Sequence, residues 1–386
     1  MHYMLFMQLN KSKCLNIDNI SSSIEKLGLS QASLSKSLDV SRQTISNWLS
    51  GKKLPRPAAL LKLANILNLT LNEIIIKADR SKEPIVAFRR KGRHKIDSEY
   101  FESAKDKGFL LEQLVSYLPY DNLSIPPTLK NPIIDYNYIH KSADNVRKDI
   151  GVSDEYVIRF EDLIGFFNKF HSVIIPVFWG NKKNHENALH IHLPSSLTTW
   201  VYLNLDSKIH DFKFWMCHEL GHIKAPSLRD DEAEDFADLF AGALLVSKKL
   251  AKREYNYISQ LDNSYLQIDR IKEIAEELII SPLTIYYEIN RYAEYTENPK
   301  IDLEENQEIY KVNTYFCNQY KTVAEHIFGK LPPTPRQYIS CAKKVFDSPF
   351  FDVLKEFLEE KKKSVGYVQE ILNLSQPDAH TLYESI

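Results

Sequence analysis

Residues 217–247, CHELGHIKAPSLRDDEAEDFADLFAGALLVS, constrain the fold more than any other stretch of the chain. His218 and His222 are four apart, so on a helix they share one face, with Glu219 beside the first. Twelve residues past His222, Glu234 opens a second segment in which Phe236, Phe240, Ala243 and Leu244 recur at helical spacing. Glu234 and Asp238 share a face with Ala237 and Ala241, small residues that let a neighbouring helix come close. Gly221 serves the same purpose inside the first helix, at a cost of about 1 kcal/mol relative to Ala. Two readings are open: an ordinary helix with two surface histidines, or a metal centre. In the second, His218 and His222 give imidazole nitrogens and Glu234 a carboxylate oxygen to one Zn2+ per chain, leaving a fourth position for water. Glu219 is then the general base rather than a ligand. Asp238 would accept a hydrogen bond from the free nitrogen of one liganding histidine and fix its tautomer. The group that stabilises the oxyanion could be Tyr202, His210 or a C-terminal tyrosine, and spacing does not choose between them.

With 386 residues, 44% hydrophobic and 26% charged, the chain has the composition of a globular protein able to build two or three domains. No apolar run approaches the roughly 20 residues of a membrane span, so no membrane partner is expected. The first 15 residues lack a basic n-region and a small-residue cleavage site. Cys14, Cys217, Cys317 and Cys341 lack paired spacing, which suits a reducing cytoplasm. The net charge of -2 hides an asymmetry: residues 1–95 carry 17 Lys/Arg against 6 Asp/Glu, which leaves the remainder at -13. A basic head on an acidic body points to a polyanionic partner for the head.

Between Ile20 and Lys77 the pattern predicts four or five short helices. Ser30 is an N-cap candidate before Gln31–Leu38 and Ser41 another before Arg42–Leu49. Only Asp39 and Val40 separate the two segments, so they must cross sharply, as in a helix-turn-helix. Leu34, Leu38, Ile45, Trp48 and Leu49 face inward; Arg42, Gln43, Thr44, Ser46 and Asn47 are left to reach base edges or phosphates. Lys52, Lys53 and Arg56 follow in a loop placed for the phosphate backbone.

Residues 78–98 read as a basic linker, with RRKGRHK at Arg89–Lys95 its densest charge run: either a solvated linker or a source of further phosphate contacts. Glu99–Leu118 and Ile139–Phe170 read as helical. SVIIPVFW, ALHIHL and TTWVYLNL then form a small, partly antiparallel sheet, with Trp200–Leu205 as the edge open to an extended substrate. His190 and His192 share the exposed face of a strand and need no ligand role. The expected class is mainly α with a small β-sheet (α+β): a helix-turn-helix domain at 15–77, a zincin-like domain at 99–298 with its motif core at 172–250, and a helical region of unassigned role at 299–386. Most of the aromatic residues of that last region read as core.

Two stretches carry resemblances. SQASLSKSLDVSRQTISNWLSGKKLPRPAALLKLANIL resembles the Cro/repressor-type helix-turn-helix family, also called the xenobiotic-response-element family. That resemblance implies operator DNA as a partner, a recognition helix at Arg42–Leu49, and a phosphate held by Gln31. Asp39 stands where the family's turn commonly has Gly, and Asp tolerates a left-handed backbone better than most residues. FWMCHELGHI followed by EDFADLFAGALLVS looks like the ImmA/IrrE family of metallo-endopeptidases, over about residues 140–250. In that family the residues matching His218, His222 and Glu234 bind zinc and the one matching Glu219 is the base. The family's Glu-Ala-Asn and the Pro after the apolar run are replaced here by Phe236-Ala237-Asp238 and Ser247. The resemblance implies cleavage of a repressor or antitoxin-like protein to relieve repression. The alternative is a regulator that does not cut and whose peptidase-like domain senses a metal, peptide or partner. A homodimer is expected either way, because helix-turn-helix units usually read paired half-sites.

Overall fold

A computed structural model describes residues 13–49, 54–77, 83–87, 98–119, 128–153, 156–179, 188–304 and 307–386. The fold is mainly α with a small mixed sheet, and the chain divides into two compact units, 1–82 and 83–386.

The first unit holds five helices, α1 (Ile17–Lys26), α2 (Gln31–Ser37), α3 (Arg42–Leu49), α4 (Pro57–Ile66) and α5 (Leu71–Ile74). They are closed by an antiparallel strand pair, β1 (Lys13–Leu15) and β2 (Ile75–Lys77). Ser30 caps α2 by accepting from the Ser33 amide, and Ser41 accepts from the Thr44 amide at the start of α3. Asp39 takes the left-handed backbone of the turn, at φ 53°. Leu34, Leu38, Ile45 and Trp48 are buried in one small core with Ile20, Leu63 and Leu67, and Leu49 packs against it.

The second unit is built on the sheet order β3 (Ile85–Ala87), β5 (Ala188–Leu193), β6 (Thr198–Asn204), β4 (Ser172–Val177). β4 and β6 are parallel; the other pairs are antiparallel. Alternation sends Val173, Ile175, Leu189, Ile191, Trp200 and Tyr202 to one core, and Ile174, Ala188, Val201 and Leu203 to another. The first is closed by α6 (Ser98–Glu112) and helices of the C-terminal part, α16 (Pro335–Lys344), α17 (Phe350–Lys361), α18 (Val365–Leu372) and α19 (Gln376–Tyr383). The second is filled by α7 (Tyr136–Ile150), α8 (Phe160–Lys169), α9 (Ile209–Lys224), α10 (Asp230–Leu245), α11 (Lys248–Ile258), α12 (Ser264–Leu278) and α13 (Pro282–Tyr295), with α14 (Glu308–Asn318) and α15 (Val323–Phe328) beside them.

Three expectations change. Trp200–Leu205 is not an edge: β6 lies between β5 and β4, because apolar residues at both parities need cover on both faces. The segment expected as linker contributes β3, which pairs Val86 with Ile191, so only part of 78–98 connects the units. The charge run Arg89–Lys95 lies outside the described residues. Nor is 299–386 a separate region: Tyr202 donates to the Ile371 carbonyl at 2.9 Å and Tyr338 to that of Pro176 at 2.5 Å, so α16–α19 are one wall of the sheet's core, while α14 and α15 join the other core.

α9 and α10 pack closely side by side. A Cβ on Gly221 would lie 2.8 Å from the Ala237 Cα, inside any real contact. Gly221→Ala is therefore expected to push the two helices apart and lower stability by about 1–3 kcal/mol, read as a fall in the thermal midpoint relative to wild type.

Candidate metal centre and nucleic-acid interface

The second turn of α10 faces the last two turns of α9, so the Glu234 carboxylate meets two imidazoles. His218 Nε2 and His222 Nε2 are 3.1 Å apart. Glu234 Oε2 is 3.4 Å from the first nitrogen and its Oε1 is 3.4 Å from the second. Ligands about 2.0–2.1 Å from a tetrahedral zinc are spaced about 3.3–3.4 Å from one another. The three side chains thus already stand at the separations that one such ion requires, and their donor set of two nitrogens and one oxygen suits zinc. Among the described residues this is the one group of three or more with that property.

Asp238, one turn along α10, accepts from His218 Nδ1 at 2.9 Å, which leaves Nε2 aimed at the centre. Burial opposes a charge on His218, but the hydrogen bonds to Asp238 and Glu234 outweigh it and push the imidazole up to about 10. His222 is held well below its ordinary value by burial, with the neighbouring His218 and His190 adding to the effect. Without a cation the pair therefore keeps a proton on His218, in the place that a metal's charge would take.

Glu219 lies outside the ligand set and is 2% exposed. Burial pushes its carboxyl up to about 8; His218 pulls the other way and Glu234 adds to the rise. A carboxyl titrating near neutrality suits a group that must accept and return a proton. Its Oε2 is 3.6 Å from His190 Nδ1. His190 is a correction to the sequence reading: it is 4% exposed, on the face of β5 that meets α9, with its ring 5.6 Å from that of His222. Burial holds it down to about 3, hence neutral. Its signal in ALHIHL was the small Ala188 on the same parity, which leaves room for a helix to close over that face. His192 is half-buried, with Nδ1 3.2 Å from Thr199 Oγ1.

The oxyanion candidates fall elsewhere. Tyr202 faces the opposite core, and its hydroxyl is committed to Ile371. His210 lies two turns before His218 on α9, between the rings of Phe316 and Tyr320. The C-terminal tyrosines 338, 367 and 383 donate to backbone carbonyls of Pro176, Leu110 and Lys363.

In the first unit, Gln31 is exposed at the start of α2, and Arg42 and Gln43 are exposed on α3. Thr44, Ser46 and Asn47 are half-buried on α3, and Gln43 Nε2 donates to Asn47 Oδ1 at 3.2 Å. Ser41 is exposed, but its hydroxyl already caps the helix. Lys52 and Lys53 lie outside the described residues.

Three outcomes are expected. Zinc affinity, measured by competition with a chelating dye, falls about 10–100-fold in Asp238→Ala. In wild type it rises about tenfold per pH unit from 7 towards 10, because each metal ion must displace the His218 proton. Arg42→Ala and Gln43→Ala each weaken DNA binding by about 1–3 kcal/mol where they read a base, measured by titrating an operator selected from a random library.

Residues 22–74 match the family model described as "Helix-turn-helix". No curated protein matches the chain. The crystal structure of Bacillus thuringiensis PlcR in complex with the peptide PapR7 and DNA is similar over 78% of this chain and 94% of that chain, at 16% identity and a TM-score of 0.14, too loose a superposition to relate the folds. Among the described residues no helix is long and apolar enough to cross a membrane. The N-terminal unit is a helix-turn-helix, the DNA-binding module of transcription regulators.

Proposed function

We propose that this DNA-binding regulator carries a zinc endopeptidase centre in its second unit. It would cut a repressor or antitoxin-like protein and so relieve repression. One observation carries the reading: His218, His222 and Glu234 stand 3.1–3.4 Å apart while Glu219, on the same helix as the two histidines, stays outside the ligand set. A sequence that merely stored a metal would not need a buried carboxyl that burial raises to about 8 beside its ligands. When bound, zinc supplies Lewis-acid polarisation of a carbonyl and of water. Glu219 takes a proton from the attacking water and returns it to the leaving amine. Asp238 holds the His218 tautomer, and the apolar wall around α9 excludes bulk water. The helix-turn-helix would keep the enzyme at its operator, in the cytoplasm and as a homodimer, where a DNA-bound substrate meets it at raised effective concentration.

A second reading has its own support. Glu219 is 2% exposed, and the part of the chain that matches a family model is the DNA-binding part. In that reading the centre senses a metal, peptide or protein partner and changes DNA affinity without cutting.

Wild type and Glu219→Gln separate the two. Under the peptidase reading both chains hold about one zinc. Wild type alone fragments a protein encoded beside its gene, with Glu219→Gln slower by about 10²–10⁴-fold. Zinc in both chains, no fragments from either, and a zinc-dependent shift in DNA affinity would select the sensor. A wild-type chain that holds no zinc would sink the peptidase and the metal sensor, and leave a site that senses a peptide or protein partner.

A further inference from the structure

β5 carries His190, which reaches Glu219 and His222, so the edge of β5 turned away from β6 is the sheet edge beside the candidate centre. That edge is taken by the chain itself. Ile85–Ala87 run antiparallel to β5, with Ala87 opposite His190 and Ile85 opposite His192. Residues directly opposite share a face, so Ala87 and Ile85 lie on the face that bears His190, while Val86 turns to the other core. The same strand touches α10, the helix of Glu234. β3 thus lies beside both β5, which carries His190, and α10, which carries Glu234, where an extended polypeptide pairing with the β5 edge would run.

The segment is short, and it packs against β5, α6 and α10. Glu83 pairs with Lys105 at 2.7 Å, and Pro84 is buried against Gly108 of α6, where a Cβ would run into the proline ring. Ile85, Val86 and Ala87 remain half-buried in a three-residue strand, a short ladder for an edge that must stay closed.

We propose that residues 83–87 occupy the strand seat of the substrate, and that a protein partner enters by displacing them and pairing an extended segment with β5. The partner chemistry follows from the occupant: an unfolded or loop segment, a small residue opposite His190, and an aliphatic residue opposite His192. The inference rests on the peptidase reading for the purpose of the seat, but not for its existence.

The test uses the full chain with Glu219→Gln, so that nothing is cut, and a labelled peptide KEPIVAFR, the sequence of residues 82–89. Gly108→Ala displaces Pro84 without touching the centre, and Val86→Gly removes the segment's anchor in the other core; if either fails to fold by circular dichroism, the other keeps the test. The peptide is expected to bind both variants about tenfold or more tighter than the parent, since the competent state is no longer self-occupied. It should also slow amide exchange at His190–His192. Equal affinity in all the folded chains would overturn the proposal. Cutting is scored separately, in chains that keep Glu219: a gain in binding without cutting sinks the peptidase reading and leaves the seat, whereas cutting without a gain in binding sinks the seat alone.

Discussion

The approach of α9 to α10 is the constraint on which the second unit depends. Glu234 can stand 3.4 Å from both imidazoles only because Gly221 and Ala237 let two helix backbones nearly touch. A single methyl between them would move the carboxylate by a distance comparable to a coordination bond. Packing elsewhere serves the same end. Phe236, Phe240 and Leu244 are fully buried and fix the rotation of α10 about its axis, while Met216, Cys217 and Leu220 do so for α9. Rotation decides which side chains converge, so the apolar stripes and the polar centre are one design. Gly242, further along α10, repeats the device against α13, where a Cβ would collide with Glu288.

The sheet explains the burial of the chemistry. With apolar residues at both parities it must be covered twice, and the cover on one side is α9 itself. The histidine helix is therefore an interior element. Lys213, on the same helix, is buried, donates to the Leu278 carbonyl and lies 5.3 Å from the Phe160 ring centroid; burial pulls it down to about 8. An environment that disfavours charge on a lysine also raises the Glu219 carboxyl and lowers the His190 and His222 imidazoles, so a proton acceptor near neutrality follows from where the helix is put.

Much of this was legible in the sequence, for local reasons. The caps Ser30 and Ser41, the Asp39 turn and the inward Leu34, Leu38, Ile45 and Trp48 are set by neighbours within a few residues. The spacing of His218, His222, Glu234 and Asp238 has the same character, because helical periodicity alone places them on facing stripes. What depended on distant partners was not legible. Periodicity says that His190 and His192 share a face, but not that α9 closes over it. TTWVYLNL reads as a strand, yet its place between two others is set by the β4 crossover and by helices more than a hundred residues later. Three residues in a charged segment, Ile85–Ala87, gave too short an alternation to stand out, and their strand exists only because β5 offers an edge.

The charge balance at the centre gives the strongest physical reason for a cation there. Glu219, Glu234 and Asp238 gather around three imidazoles, of which His190 and His222 are held neutral by burial. One proton on His218 offsets only part of that negative charge; Glu219 is raised to about 8 chiefly by burial, with Glu234 adding to the rise. Bringing carboxylates into such a site without a counter-charge costs several kcal/mol per ion. An ion bound to the folded state alone returns stability as RT ln(1 + [L]/Kd), so the folding of the second unit and the loading of its centre are coupled. On this logic the ligands, the base and the hydrogen bond from His218 to Asp238 form one electrostatic unit, in which each member shifts the titration of the others.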